Sequence, residues 1–144
     1  TATGKANFSV APLAWVPVPP GRLVLATIRS HDQYNTTIYG LDDRYRGVKG
    51  QRDVLFANEA DIIRLGFRPG QKADLISIWD DGRERRVKGF TLLAFDIPPG
   101  QAAAYYPEVN PLVPLESVGD GSSTPTSKFV AIRLEPYFET ARIA

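Results

Sequence analysis

The sequence predicts a mainly β chain with one or two short helices, and three observations carry that expectation. Short runs rich in Val, Ile and Leu recur along the 144 residues, which suits strands better than long helices. Turn signals fall between the runs: Gly21, Pro69-Gly70, Asp81-Gly82 and Pro98-Pro99-Gly100. A complete set of helix start and stop signals occurs only over Asn58 to Gly66.

Size and composition narrow the functional classes. A chain of 144 residues is one domain by length and can bury a core. Its formal net charge of +1 supplies no field that would draw it to nucleic acid or anionic lipid, so neither is expected as a partner. No apolar run approaches the length of a membrane span, and no signal-peptide pattern is present, so a cytoplasmic location is expected. There is no cysteine, which removes disulfides, iron–sulfur clusters and thiolate zinc sites from this chain. A single histidine excludes a multi-histidine metal centre, so no metal ligand is assigned. Methionine is absent too, and the chain starts Thr1-Ala2-Thr3-Gly4. That suggests a piece of a longer polypeptide, although removal of an initiator before a small residue gives the same start.

In chain order, residues 1–22 read as an N-terminal arm. Phe8, Val10 and Leu13 suggest short extended pairing. Pro12, Pro17, Pro19 and Pro20 exclude a helix and a central strand. Trp15 is expected to dock the arm on the body. Leu23, Val24, Leu25 and Ile28 begin the first strand.

From Thr27 the character changes. Thr27, Arg29, Ser30, His31, Asp32, Gln33, Tyr34, Asn35, Thr36 and Thr37 form a nearly unbroken run of hydrogen-bonding side chains. A fixed cationic fork, an imidazole, amides, a phenol and hydroxyls suit a polar ligand with phosphates and a heterocycle. The same run also reads as a polar strand end and hairpin on a solvated face. Leu41 to Arg52 follows as a mixed-charge, solvated loop with Gly47 and Gly50, from which Arg44 or Arg46 could reach a phosphate.

Asp53 to Ala57 is a short apolar strand. The next stretch is a helix: Asn58 is a good N-cap, Glu59 and Asp61 sit in the first turn where the dipole favours anions, and Gly66 ends it. Ile62, Ile63 and Leu65 are its expected buried face. Pro69-Gly70 makes a turn, and Ala73 to Trp79 is a strand centred on Leu75 and Ile76. Asp80 to Arg83 is an Asp-Gly hairpin turn. Glu84 to Ile97 reads as a long strand bent at Gly89-Phe90. Arg83 and Arg85 alternate onto one face and, with Arg86, are expected to be solvated; no aromatic residues interleave to make a nucleic-acid platform.

Pro98 to Gly100 is a turn and Ala102 to Tyr106 a short strand, with one of Tyr105 and Tyr106 in the core. Pro107 to Pro111 is a rigid loop. Leu115 to Lys128 is so rich in Gly, Ser and Thr that composition alone also allows a disordered linker. Phe129 to Leu134 is the last strand, ended by Glu135-Pro136, and residues 137–144 form a tail.

Three of these segments resemble those of a known family. Thr27-Ile-Arg-Ser-His-Asp-Gln-Tyr-Asn-Thr36 resembles the first cofactor-contacting segment in the C-terminal domain of molybdopterin oxidoreductases. Its extension through Thr37 to Gly47 resembles the formate-dehydrogenase-like branch. The Asn58–Gln71 unit is similar to the family's Asn-Pro-x-Asp-Ala helix and Gly-Asp turn, with Glu59 replacing Pro and Gln71 replacing Asp. Asn110-Pro-Leu-Val-Pro114 resembles a second ligand-side loop that lacks its usual Thr. The small-polar loop ending in Ser127-Lys128 resembles the lead into the last strand, where such loops let backbone amides approach phosphate. Thr3 to Phe8 resembles the segment that precedes this domain.

The resemblance implies a six-stranded double-psi β-barrel over residues 23–136, similar to aspartate decarboxylase and to the C-terminal domain of formate dehydrogenase. Residues 1–22 would then cross from a preceding domain. It also implies molybdopterin guanine dinucleotide, carrying molybdenum or tungsten, in a larger parent oxidoreductase, held between domains and not retained by the isolated barrel. Arg29 and Lys128 would meet negative charge. Thr27, Ser30, Thr36 and Ser127 would donate hydroxyls. His31, Gln33, Asn35, Asn58 and Asn110 would bond pterin, ribose or guanine edges, and Tyr34 would stack or cover.

Two other classes compete. His31-Asp32 suggests acid–base chemistry, but neighbours on a strand face opposite ways. No Gly-x-Ser-x-Gly elbow, phosphate loop or Gly-x-Gly-x-x-Gly occurs, so catalysis by this chain alone is not expected. A small β-barrel that binds protein without cofactor is the remaining alternative.

Overall fold

The computed structural model describes residues 1–12, 17–35 and 39–139. Trp15 and Leu13 of the arm, and the end of the tail beyond residue 139, lie outside the described residues. The elements are strands β1 (Leu23–Ile28), β2 (Asp42–Asp43), β3 (Val48–Lys49) and β4 (Val54–Ala57), helix α1 (Glu59–Arg64), then β5 (Lys72–Ile78), β6 (Glu84–Ala94), β7 (Gln101–Tyr105), a 3₁₀ turn (Asn110–Leu112) and β8 (Val130–Pro136).

Six of the strands close a barrel in the order β1-β7-β4-β6-β5-β8, and β2 pairs with β3 in a separate small ribbon. The barrel is mixed. β1 runs parallel to β7 and β4 parallel to β6, while the other four contacts are antiparallel. The mainly β architecture read from the sequence and the six-stranded barrel implied by the resemblance are therefore the ones observed. Closure leaves no unpaired edge along the barrel wall.

Alternation fills the interior. β1 buries Leu23, Leu25 and Thr27 on one side, and Leu55, Leu75, Phe90, Leu92 and Ile132 meet them in one core. β4 is buried at every position, because it has cover on both faces. Leu55 and Ala57 enter the barrel core, whereas Val54 and Phe56 pack outward with Val48 and Tyr105.

The helix starts where the cap predicts: the Asn58 side chain accepts from the Ala60 N–H at 3.0 Å. Ile62 is buried, but Ile63 is 60% exposed, so the expected buried face is narrower than three residues; a six-residue helix presents less than two turns to the barrel. β6 bends at Gly89, whose φ is +72°, beside a register shift between Ala73 and Leu75. Phe8 and Val10 are fully exposed, at 96% and 100%, and residues 1–12 form no strand, which corrects the expected pairing of the arm. The stretch 115–128 folds back on itself through a bridge between Val118 and Pro125, so the linker alternative does not hold.

Candidate functional site

The polar run of residues 27–35 and the loop ending in Lys128 meet at one end of β1. The Tyr106 N–H donates to the Ile28 carbonyl at 2.7 Å, and there β1's pairing stops. The chain then turns, with Asp32 at φ +63° and the Gln33 N–H donating to the Ser30 carbonyl at 3.2 Å. The Thr27 N–H donates to the Ser127 carbonyl at 2.9 Å, and the Lys128 ammonium donates to the Thr27 carbonyl. Two segments a hundred positions apart thus form one surface.

That surface is concave. A cavity of about 570 Å³ is lined by Thr27, Ile28, Arg29, Arg46, Tyr106, Ser127 and Lys128. A second, of about 430 Å³, is lined by the loop from Arg29 to Tyr34 with Tyr45 and Arg46. Arg29 and Arg46 belong to both, so the two are lobes of one groove. Arg29, Arg46 and Lys128 give it three cations. The Arg29 guanidinium donates to the Asn35 side chain at 2.7 Å, leaving further donors of its fork for a ligand. Tyr34 is 77% exposed and stands at the rim. Arg46, rather than Arg44, reaches both lobes.

His31 departs from its expected setting. The adjacent His31 and Asp32 side chains do meet, at 3.1 Å, because the segment is a turn and not a strand, so the opposite-face argument fails. The same Nε2 lies 2.9 Å from an Arg44 nitrogen; with the ring proton on Nδ1 it accepts from Arg44, and with the proton on Nε2 it donates to Asp32. The ring packs edge-on against Tyr45, centroids 4.2 Å apart.

Ser30 and Gln33 point inward. Their partner is Arg52, a residue of the stretch expected to be solvated, yet only 6% exposed. Its guanidinium donates to Ser30 Oγ at 2.7 Å, to Gln33 Oε1 at 3.0 Å and to the Tyr106 carbonyl at 2.7 Å. It also binds both oxygens of Glu108, at 2.5 and 3.1 Å. The rings of Tyr39 and Tyr105 lie 3.5 and 4.7 Å from its central carbon. A buried cation with a bidentate carboxylate and two aromatic faces is well compensated for its lost hydration. Hydrogen bonding to Glu108, then burial, pushes the Tyr39 phenol up.

Asp43 is the second buried charge in that stretch, 3% exposed. Burial alone would push its carboxyl up. Hydrogen bonds from Arg46 at 2.6 Å and Tyr105 at 2.8 Å, with the His31 backbone N–H, outweigh burial and hold it below its ordinary value. Burial, reinforced by Asp43, pushes the Tyr105 phenol up. Arg46 also donates to the Arg29 carbonyl at 3.3 Å, so Asp43 fixes a groove cation that in turn touches the loop.

Asn58 and Asn110 do not line the groove. Asn58 spends both ends of its amide, accepting from Ala60 and donating to the Ile97 carbonyl at 2.9 Å. Asn110 is exposed at the start of the 3₁₀ turn. Thr36 and Thr37 lie outside the described residues. Arg83, Arg85 and Arg86 are not a freely solvated set: Arg85 pairs with Asp81 at 2.6 Å, and Arg86 with Asp74, Glu84 and Glu135. Sequence reasoning missed Arg52, Asp43 and Glu108 as internal partners. No local pattern marks them, since Arg52 and Glu108 are 56 positions apart.

No family model matches the chain. Over 140 residues, 94% of this chain, it is 64% identical to a protein of Mycobacterium tuberculosis described as an uncharacterized oxidoreductase, of which the match covers 18%. The same identity and coverage hold for an uncharacterized oxidoreductase of Mycobacterium bovis. The protein YdeP of Escherichia coli is 40% identical over 144 residues, 94% of this chain and 19% of YdeP. The chain, which spans less than a fifth of the length of these curated relatives, is thus homologous to a C-terminal stretch of about 140 residues in larger proteins, the mycobacterial ones described as oxidoreductases.

Proposed function

We propose that this barrel is the domain of a larger molybdopterin-dependent oxidoreductase, formate-dehydrogenase-like, that binds the guanine dinucleotide end of the molybdenum or tungsten cofactor. The observation that carries the proposal is the convergence of residues 27–34 with Ser127 and Lys128 on one groove holding three cations. Homology to larger proteins described as oxidoreductases supports it. The donor set fits the group. A dinucleotide brings a diphosphate that needs cations and N–H donors, and heterocycle edges that need mixed donors and acceptors. Arg29, Arg46 and Lys128 would hold the diphosphate, and His31, Asn35 and Tyr34 would meet ribose or base. Ser30 and Gln33, bonded to Arg52, would shape the loop rather than touch the ligand. When bound, the metal and its pterin dithiolenes supply the redox chemistry. The residues of this chain bind, orient and screen the nucleotide end, and the other domains of the longer protein close over it.

The test is native mass spectrometry with metal analysis on the full-length parent. Molybdenum or tungsten with a guanine dinucleotide is the expected result. Arg29→Ala should weaken cofactor retention by roughly 1–3 kcal/mol, as the loss of a charge-assisted partner covered by the ligand does, while Arg83→Ala, at a position that lines neither lobe, leaves it unchanged. Equal occupancy in the two variants contradicts the groove. A parent without metal and pterin, made in a cofactor-competent host, overturns the reading and favours a protein-binding barrel.

A further inference from the structure

We propose that Arg52 is a positioning residue that sets the loop of residues 29–35 from beneath, so that the groove is formed before any ligand arrives. What the loop would hold rests on the proposed cofactor function; the positioning itself does not. The loop has no strand pairing past Ile28, so β-ladder hydrogen bonds do not fix it. Beyond the Ser30–Gln33 turn bond its fixed points are side chains: Arg46 and Asp43 hold the Arg29 carbonyl and the His31 N–H, and Arg52 holds Ser30 and Gln33. Arg52 binds Ser30 Oγ and Gln33 Oε1 from within the molecule, and Gln33 in turn accepts from the Ser30 N–H at 3.1 Å and donates to the Tyr106 carbonyl at 2.9 Å. Glu108 and the Tyr106 carbonyl anchor the same guanidinium to the end of β7. With Ser30 and Gln33 held inward, Arg29, His31 and Tyr34 are left facing the groove. A planar five-donor fork is required for this arrangement. An ammonium carries the charge but cannot reach four acceptors at once.

The experiment reads the loop without any cofactor. His31 is the sole histidine, so its ring gives a single set of NMR signals, displaced by the edge-on Tyr45 ring at 4.2 Å. In a ¹⁵N-labelled chain, Arg52→Lys should move the His31 ring signal toward the position of a free imidazole. It should also speed amide exchange at Ser30, His31 and Gln33 by about tenfold or more, the scale of one lost charge-assisted hydrogen bond. Amides of β5 and β6 should keep their protection. Should Arg52→Lys fail to fold, Ser30→Ala decides. It keeps the Arg52–Glu108 pair and should give the same local signature at smaller amplitude. A His31 signal that does not move in a folded variant, or exchange that rises uniformly around the barrel, reduces Arg52 to core packing and overturns the proposal. Because no ligand enters this measurement, a parent that proves free of cofactor leaves the positioning role of Arg52 standing. Equally, a loop that ignores Arg52 leaves cofactor binding standing.

Discussion

Asp43 shows how one side chain links the barrel to the groove. It accepts from Arg46 and from the Tyr105 phenol while almost wholly buried. Tyr105→Phe removes one of those donors, and chemical denaturation should report a loss of about 1–2 kcal/mol, the cost of under-satisfying a buried carboxylate. Asp43 and Asp61 both have pKa values held below the ordinary 3.8. In Asp61, burial pushes upward, and the Gly100 N–H at 2.5 Å with Arg64 outweighs it. A depressed folded pKa contributes stability that is complete above the unfolded value and is lost as pH falls below it. Acid titration of stability should therefore stay flat from neutrality to about pH 4 and drop below that. In Asp43→Asn the protein should be weaker at pH 7 and its acid loss shallower. A parallel drop in variant and wild type would mean that Asp43 contributes nothing to the acid limb.

Elements were legible in the sequence where their causes are local. The Asn58 cap, the first-turn acids and Gly66 specify α1 within nine residues, and the helix is where they place it. Asn58→Ala should cost about 1 kcal/mol through the lost cap, and more if the Ile97 carbonyl is left unpaired, as a thermal melt would show. The bend in β6 was legible from Gly89, because φ there is +72°. Gly89→Ala should cost about 1–2 kcal/mol in that left-handed conformation, with its new Cβ only 3.3 Å from the Tyr137 ring. What the sequence could not show is pairing at a distance. The stretch 41–52 looks solvated because its residues are charged, yet Asp43 and Arg52 are buried by partners at Tyr105 and Glu108. The His31–Asp32 contact was hidden for another reason: strand geometry was assumed where the chain turns. The groove's two halves were visible as polar runs, but that they touch follows only from the β1–β8 seam.

At the scale of the whole molecule, that seam closes the barrel. Leu23 pairs with Ile132 and Leu25 with Val130, so the first and last strands are neighbours. All six strands then share one core, and unfolding should be cooperative, with backbone circular dichroism and tryptophan fluorescence changing together. Ile132→Ala empties a fully buried position and should cost about 2–5 kcal/mol. The whole denaturation curve should shift, rather than split into two steps.

The same seam gives the barrel a polarity. β1 begins at Leu23 and delivers its end to the groove, whereas β8 leaves Lys128 beside the groove and runs back past Leu23 to Pro136. The first strand enters and the last strand exits at the pole remote from the groove. A fluorophore, affinity tag or surface tether attached before Leu23 or after Pro136 therefore starts about 17 Å away, the rise of a six-residue strand. An attachment at that pole leaves the mouth of the groove clear.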